Sequence, residues 1–257
     1  MNNSLFHLYE FISSFLPQKL KLSIGKSTLL KPFRDLLLRS NGNLKIAGDV
    51  ITFDDLTFFF QGSFKTFRHA KKSGIESRIC RFVISECGPG STCFDVGTNY
   101  GFISMVMAQT VKPSGKVLSF ECNPDIFKIY KDTVRRNNLE TVCEPILNSV
   151  GSQPGTTLDE AASSRNLNRV DFIKIDTDGG DYEVLRGAEN IIKKFKPVII
   201  VEIMQDKEKI YAFLKQYYPF IAGTDGEEFT PPNWPLNLIA SVRKITTPHK
   251  KSSLDSL

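Results

Sequence analysis

Histidine is scarce: His7, His69 and His249 are the three in 257 residues. This count excludes a histidine-rich metal centre and leaves acid–base chemistry to carboxylates. Five cysteines (Cys80, Cys87, Cys93, Cys122, Cys143) contain no C-x-x-C pair, and the number is odd. The chain therefore lacks the spacing of a zinc ribbon or a disulfide framework, and a reducing cytoplasm is the expected location. Nowhere does an apolar run reach the roughly 18 residues of a membrane span. Met1-Asn2-Asn3-Ser4 offers no basic start to a secretory signal. The G-x-G-x-x-G fingerprint of a dinucleotide fold is also missing, which removes the usual seat for the pyrophosphate of NAD.

What is present is ordinary in bulk and uneven in place. Hydrophobic residues make up 41% and charged residues 24%, as in a soluble globular protein. Residues 1–90 carry 13 Lys+Arg against 7 Asp+Glu, whereas the remainder carries 20 against 21. The basic N-terminal part is a solvated face, or else meets an acidic partner, a phosphate-bearing substrate or an anionic membrane surface peripherally.

The periodicity predicts an α/β fold: a Rossmann-like, doubly wound, mostly parallel seven-stranded sheet with an N-terminal helix and hairpin extension. The extension is read as 1–74, the main domain as 75–246 and a polar tail as 247–257. In the extension, apolar spacing predicts a helix over 4–16, ended by Pro17, then a basic, partly helical 18–40. A hairpin is expected to turn at Gly48-Asp49, with a third strand at Phe58–Phe60 and a basic loop or helix start over Lys65–Lys72. A helix over Ile75–Glu86 leads into the main domain. Strands are expected at Thr92–Val96, Lys116–Glu121, Cys143–Leu147, Val170–Asp176 and Pro197–Ile203, and two closing strands at Phe220–Ala222 and Leu236–Arg243. Helices are expected over Gly101–Val111, Pro124–Asn137, Asp181–Phe195 and Lys207–Tyr217; the first is apolar nearly all round and should be buried.

The chemistry gathers at the strand ends, where such sheets bind ligands. In Phe94-Asp95-Val96-Gly97-Thr98-Asn99-Tyr100-Gly101-Phe102 an apolar strand ends in an acid and crosses two glycines into an apolar helix. Glycines allow close backbone approach, while a carboxylate there would repel a phosphate and suit an ammonium. The expected ligand is S-adenosylmethionine. Asp95 would meet its amino group, directly or through water, and Gly97, Asn99 and Gly101 would shape the turn. Glu121 ends the second strand, where its two oxygens suit the ribose hydroxyls. Asp176, Asp178 and Asp181 crowd the fourth strand end and the next helix start, and Glu202 ends the fifth strand. Asp176 is the expected catalytic base, with Asp178 beside it and His69 in reserve. A divalent cation on Asp176, Asp178 and Glu202 is compatible with hard oxygen ligands but not required. Trp234 and Tyr100 are candidates to stack on an acceptor ring, against the alternative of plain packing. The N-terminal segment and the Gly223–Pro235 loop are the expected lids.

The run FDVGTNYGF, then LSFECNP, TTLDEA, DFIKIDTDGGDYEVLRGA and VIIVEI, in that order over roughly 75–203, resembles the FkbM-type methyltransferase family. The resemblance implies a class I, S-adenosylmethionine-dependent enzyme, usually methylating a hydroxyl oxygen of a sugar or natural product. It also adds Glu76 as a cofactor contact, since the family often has an acid there. Two departures stand out: Asp178-Gly179 replaces a Glu-Gly pair, and only Asn148–Gly155 separates the third strand from the T-L-D-E motif. The expected partner is a small-molecule acceptor, a sugar or a phosphate-bearing glycoconjugate. Two alternatives stay open. One is a cofactor-binding module without transfer. The other is a nucleic-acid methyltransferase, against which stands Asp176-Thr177-Asp178 in the place of an N-P-P-[YF] turn.

Overall fold

The computed structural model describes residues 46–151, 155–224, 229 and 231–244, with the backbone of 39–40 and 43–44. The helix expected over 4–16, most of the basic 18–40 stretch, the polar tail and the middle of the Gly223–Pro235 loop lie outside the described residues. The chain divides into two compact units, Met1–Gly74 and Ile75–Leu257.

In the first unit, β1 (Arg39–Ser40) pairs with β2 (Asn43–Leu44). Strand β3 (Ile46–Phe53) pairs antiparallel with β4 (Leu56–Ser63), and α1 (Phe64–Ser73) follows. The hairpin turns at Asp54-Asp55, with Asp54 at φ 48°, and not at Gly48-Asp49. Gly48 lies inside the strand, where a Cβ would come within 2.7 Å of Gln61 Cβ. It serves cross-strand packing, and the alternation that buries Ala47, Ile51 and Phe53 runs straight past it. Of the basic loop or helix start expected over Lys65–Lys72, the structure has the helix, capped by Ser63, whose hydroxyl accepts from Thr66 N at 3.2 Å.

The second unit is built on one seven-stranded sheet. Its elements are α2 (Ser77–Glu86), β5 (Thr92–Val96), α3 (Phe102–Val111), β6 (Lys116–Glu121), α4 (Pro124–Arg136), β7 (Cys143–Leu147) and α5 (Leu158–Ser163). There follow β8 (Phe172–Ile175), α6 (Asp181–Arg186), α7 (Glu189–Phe195), β9 (Val198–Glu202), α8 (Lys207–Lys215), β10 (Phe220–Gly223) and β11 (Asn237–Ser241). The order across the sheet is β10-β11-β9-β8-β5-β6-β7. Strand β11 is antiparallel to both neighbours; the other pairings are parallel. The central strands are apolar on both faces because helices cover both. Helix α3 is buried along nearly its whole length, as its all-round apolar sequence requires. Chain order reverses between β5 and β8, so the crevice of the sheet opens beyond Val96 and Ile175.

The helix expected over Asp181–Phe195 is two helices. Its apolar stripe (Val184, Leu185, Ala188, Ile191, Ile192, Phe195) stays in phase across the break, so periodicity alone reads it as continuous. The break comes from elsewhere in the chain: Asp159 accepts from Asn190 N at 3.0 Å and Ile191 N at 2.9 Å, capping α7. The same T-L-D-E segment caps its own helix. Thr157 Oγ1 accepts from Glu160 N at 3.1 Å, and Glu160 accepts in return from Thr157 N at 2.8 Å. This reciprocal pair satisfies two otherwise orphaned donors. Thr157→Ala should lower stability by about 1 kcal/mol, read as a reduced urea midpoint at unchanged slope.

Candidate active site

The first part of the site is the turn between β5 and α3. Parallel pairing with β6 brings the turn against Phe120, whose carbonyl accepts from Gly97 N at 3.1 Å and Thr98 N at 3.0 Å. Gly97, Asn99 and Gly101 all have positive φ, at 78°, 53° and 83°. A Cβ on Gly97 would lie 1.7 Å from the Asp176 carbonyl oxygen, and one on Gly101 would lie 2.0 Å from Tyr130 Cδ2. Both glycines are therefore required by close approach as well as by dihedral angle.

Glu121 ends β6 and locks this turn. Its Oε2 accepts from Asn99 N at 2.9 Å and its Oε1 from Asn123 N at 2.8 Å. One backbone donor on each oxygen fixes the carboxylate and leaves each oxygen a further lone pair for a hydroxyl. Asp95 sits deeper and is wholly buried. Its Oδ2 accepts from Thr98 Oγ1 at 2.9 Å and Ser104 Oγ at 2.5 Å, so it organises the turn from beneath. Its Oδ1 has no hydrogen bond, but Lys174 Nζ lies 3.9 Å away.

Lys174 is the residue that the sequence reading misses. The β5–β8 register sets Asp95 beside Lys174, on the same face of the sheet. Its ammonium is 3.1 Å from Asp176 Oδ2 and 3.4 Å from the Gly97 carbonyl, and the residue is only 3% exposed. Burial works against its charge, but Asp95, Asp176 and Glu76 outweigh burial and raise its pKa. The available signal was a lysine inside an otherwise apolar strand, Phe172-Ile-Lys-Ile175. Such a residue needs a carboxylate partner to be buried at all.

Around this cation the structure assembles carboxylates from separate elements. Asp176 follows β8. Glu202 ends β9 beside it, half-buried; burial, the Asp176 charge and hydrogen bonding to Asp176 push it from its ordinary 4.5 up to about 7. Glu76 precedes α2 in a left-handed conformation, φ 46°. Although the residue is exposed, partial desolvation of its carboxylate raises its pKa, with Lys174 opposing and Asp176 and Asp95 adding to the rise. Asp181 is buried, and its Oδ1 accepts from Thr177 N at 2.8 Å and Thr177 Oγ1 at 2.9 Å, closing the turn after β8.

Other expected participants stand elsewhere. Asp178 is exposed on that turn at φ 54°, and joins none of these contacts among the described residues. His69 is on the exposed side of α1. Tyr100 is buried. Trp234 packs edge-on against Tyr211 at 5.8 Å and tilted against Phe229 at 5.5 Å, so plain packing describes it better than an open stacking platform. Among the described residues, no group of three or more His, Cys, Asp or Glu is arranged to hold a metal ion. None of their helices is long and apolar enough to cross a membrane.

The comparisons with known proteins bear on the same segment. Residues 75–152 match the family model of protein-L-isoaspartate(D-aspartate) O-methyltransferase, and residues 152–221 match that of the methyltransferase FkbM domain. Among curated proteins none matches the chain. Solved structures with a similar fold include an O-methyltransferase from Bacillus cereus in complex with SAH, 18% identical, covering 65% of this chain and 80% of its own, at TM-score 0.44. An rRNA methylase from Streptococcus thermophilus is 14% identical and covers 64% of this chain and 95% of its own, at TM-score 0.45. Precorrin 8W decarboxylase of Methanobacterium thermoautotrophicum is 20% identical and covers 66% and 90%, at TM-score 0.45. With a glycine turn between β5 and α3, an acid at the next strand end and two methyltransferase models meeting at residue 152, residues 75–221 are similar to methyltransferase domains, the second part of them to the methyltransferase FkbM domain.

Proposed function

We propose that this enzyme transfers the methyl group to a hydroxyl oxygen of a sugar or natural-product acceptor, with Asp176 facing the acceptor hydroxyl. The observation that carries this reading is the contact between Gly97 and the Asp176 carbonyl across the β5–β8 crevice. It sets the residue after β8 against the turn assigned to the cofactor, the proximity that methyl transfer needs. When bound, the cofactor supplies a methyl group already activated on a positively charged sulfur. The protein's part is then to align the acceptor oxygen and accept its proton.

Gly97, Asn99 and Gly101 would cradle the cofactor and Glu121 would take its ribose hydroxyls, while Asp95, held by Thr98, Ser104 and Lys174, would keep the turn in shape. Glu76 would border the cofactor from α2. Asp178 would guide the acceptor from the rim of the turn. Around the crevice the described carboxylates outnumber Lys174, so a phosphate on the acceptor would have to lie away from the reacting hydroxyl.

Calorimetric titration with S-adenosylmethionine followed by a radiolabelled acceptor screen, starting with sugars, tests the reading. Asp176→Asn should lower transfer about a hundredfold or more while cofactor affinity stays within about threefold. Full activity in that variant would sink the assignment. A parallel loss of cofactor binding would make Asp176 a structural residue.

A further inference from the structure

Parallel pairing of β8 with β9 sets Ile175 against Val201. The next residues on each strand, Asp176 and Glu202, therefore leave the sheet side by side. Two carboxylates side by side do not both ionise readily, so one of them gives up its proton only near neutral pH and takes one back readily. The surroundings decide which. Lys174 Nζ binds Asp176 Oδ2 at 3.1 Å and Asp95 Oδ1 at 3.9 Å from its buried position in β8. Glu202 is not among these partners. The charged groups that weigh most on Glu202 are of its own sign: Asp176 after β8, Asp181 from α6 and Glu76 before α2. On its other side β11 sets the uncharged Asn237 opposite. Asp176 thus has a cation bound to one oxygen, while Glu202 has no ion pair with a cation among the described residues.

We infer that Asp176 and Glu202 act as a pair in which Asp176, bound by Lys174, orients the acceptor hydroxyl and Glu202 is the member that takes its proton. This rests on the hydroxyl-methylating reading above. In the step, the acceptor O–H bond breaks, its electron pair stays on oxygen, and the proton passes to an ionised oxygen of Glu202, which later returns it to water. Asp176 orients the hydroxyl. A carboxylate pushed up to about 7 is matched to that task near neutral pH. Glu202 becomes the catalytic base, and Lys174 acts through Asp176 as a positioning residue.

The test needs no acceptor. The full-length protein, labelled with 13C at its Asp and Glu side-chain carboxyls, is titrated by NMR with S-adenosylhomocysteine present and absent. One carboxyl should titrate near 7. That signal should be missing in Glu202→Gln, and in Asp176→Asn it should move down, since burial stays and the neighbouring charge goes. A second readout follows from linkage. The folded value lies above the unfolded one, so Glu202 favours folding while it is protonated. The stability of the wild type relative to Glu202→Gln should accordingly fall as pH rises from 4.5 toward 7. A Glu202 that titrates as an ordinary carboxylate, or that ignores Asp176→Asn, overturns the inference. The methyltransferase reading fails by a different result, the absence of S-adenosylmethionine binding in the same protein.

Discussion

Gly97→Ala is expected to abolish S-adenosylmethionine binding. The added Cβ would lie 1.7 Å from the Asp176 carbonyl oxygen and 2.8 Å from its carbonyl carbon, far inside any allowed contact. The obstacle is backbone between two central strands, which cannot swing aside as a side chain can. At φ 78° the residue is also in the left-handed region, where alanine carries a penalty of its own. Relief requires β5 and β8 to separate at their carboxyl ends, the place proposed for cofactor and acceptor. A stability loss of roughly 3 kcal/mol or more is expected from the strain and the lost pairing together. Urea unfolding reads the stability and calorimetry reads the binding. Gly88→Ala is the control. A Cβ there has nothing within 4 Å, so stability should stay within about 0.5 kcal/mol and affinity should not change. Wild-type affinity in Gly97→Ala would mean that the cofactor does not use this turn.

Lys174→Met carries the second large effect. Methionine fills a similar volume, so packing survives and charge alone changes. Asp95, wholly buried, would lose its cationic neighbour at 3.9 Å, and Asp176 would lose the hydrogen bond at 3.1 Å. Removing one partner of a buried ion pair typically costs about 3–5 kcal/mol, which for a protein of this size lowers the melting temperature by roughly 10 °C. Buried carboxylates answer such a loss by binding protons, so the deficit should shrink in acid. The double variant Lys174→Met/Asp95→Asn separates charge from shape. With Asp95 neutral, much of the lost stability should return, because an amide in that place keeps its hydrogen bonds to Thr98 and Ser104 without an unpaired charge. If the double variant is no more stable than the single one, Lys174 works by packing rather than by neutralising Asp95.

The sheet was legible because its signal is local. Each strand from Thr92 onward reads as a short apolar run ending in an acid or a turn. Helix α3 reads as buried because it is apolar on every side. The glycine turn was legible for the same reason: a strand, two glycines and an apolar helix are contiguous in sequence. Boundaries were less exact, since the strand expected over Val170–Asp176 is Phe172–Ile175 and that over Pro197–Ile203 is Val198–Glu202.

What failed has a common cause. The Asp181–Phe195 segment keeps one apolar phase, and the residue that divides it, Asp159, lies over 20 residues earlier and reaches the amides of Asn190 and Ile191 only in the fold. Gly48 looked like a turn because glycine next to aspartate usually marks one. The two-residue connection at Asp54-Asp55 instead follows from pairing Phe53 with Leu56.

The sequence by itself determined the fold class, the glycine turn and the acids at the strand ends, because strand period, glycine and terminal charge are properties of neighbouring residues. Only the tertiary structure decided which charges meet. Register between β5 and β8 joins Asp95 to Lys174 across 79 positions, and register between β8 and β9 sets Glu202 beside Asp176. Lys174 reads in sequence as one polar letter in an apolar strand. In the fold it is the cation that buried Asp95 of β5 and half-buried Asp176 after β8 share, and parallel pairing of the two strands is what brings them to it.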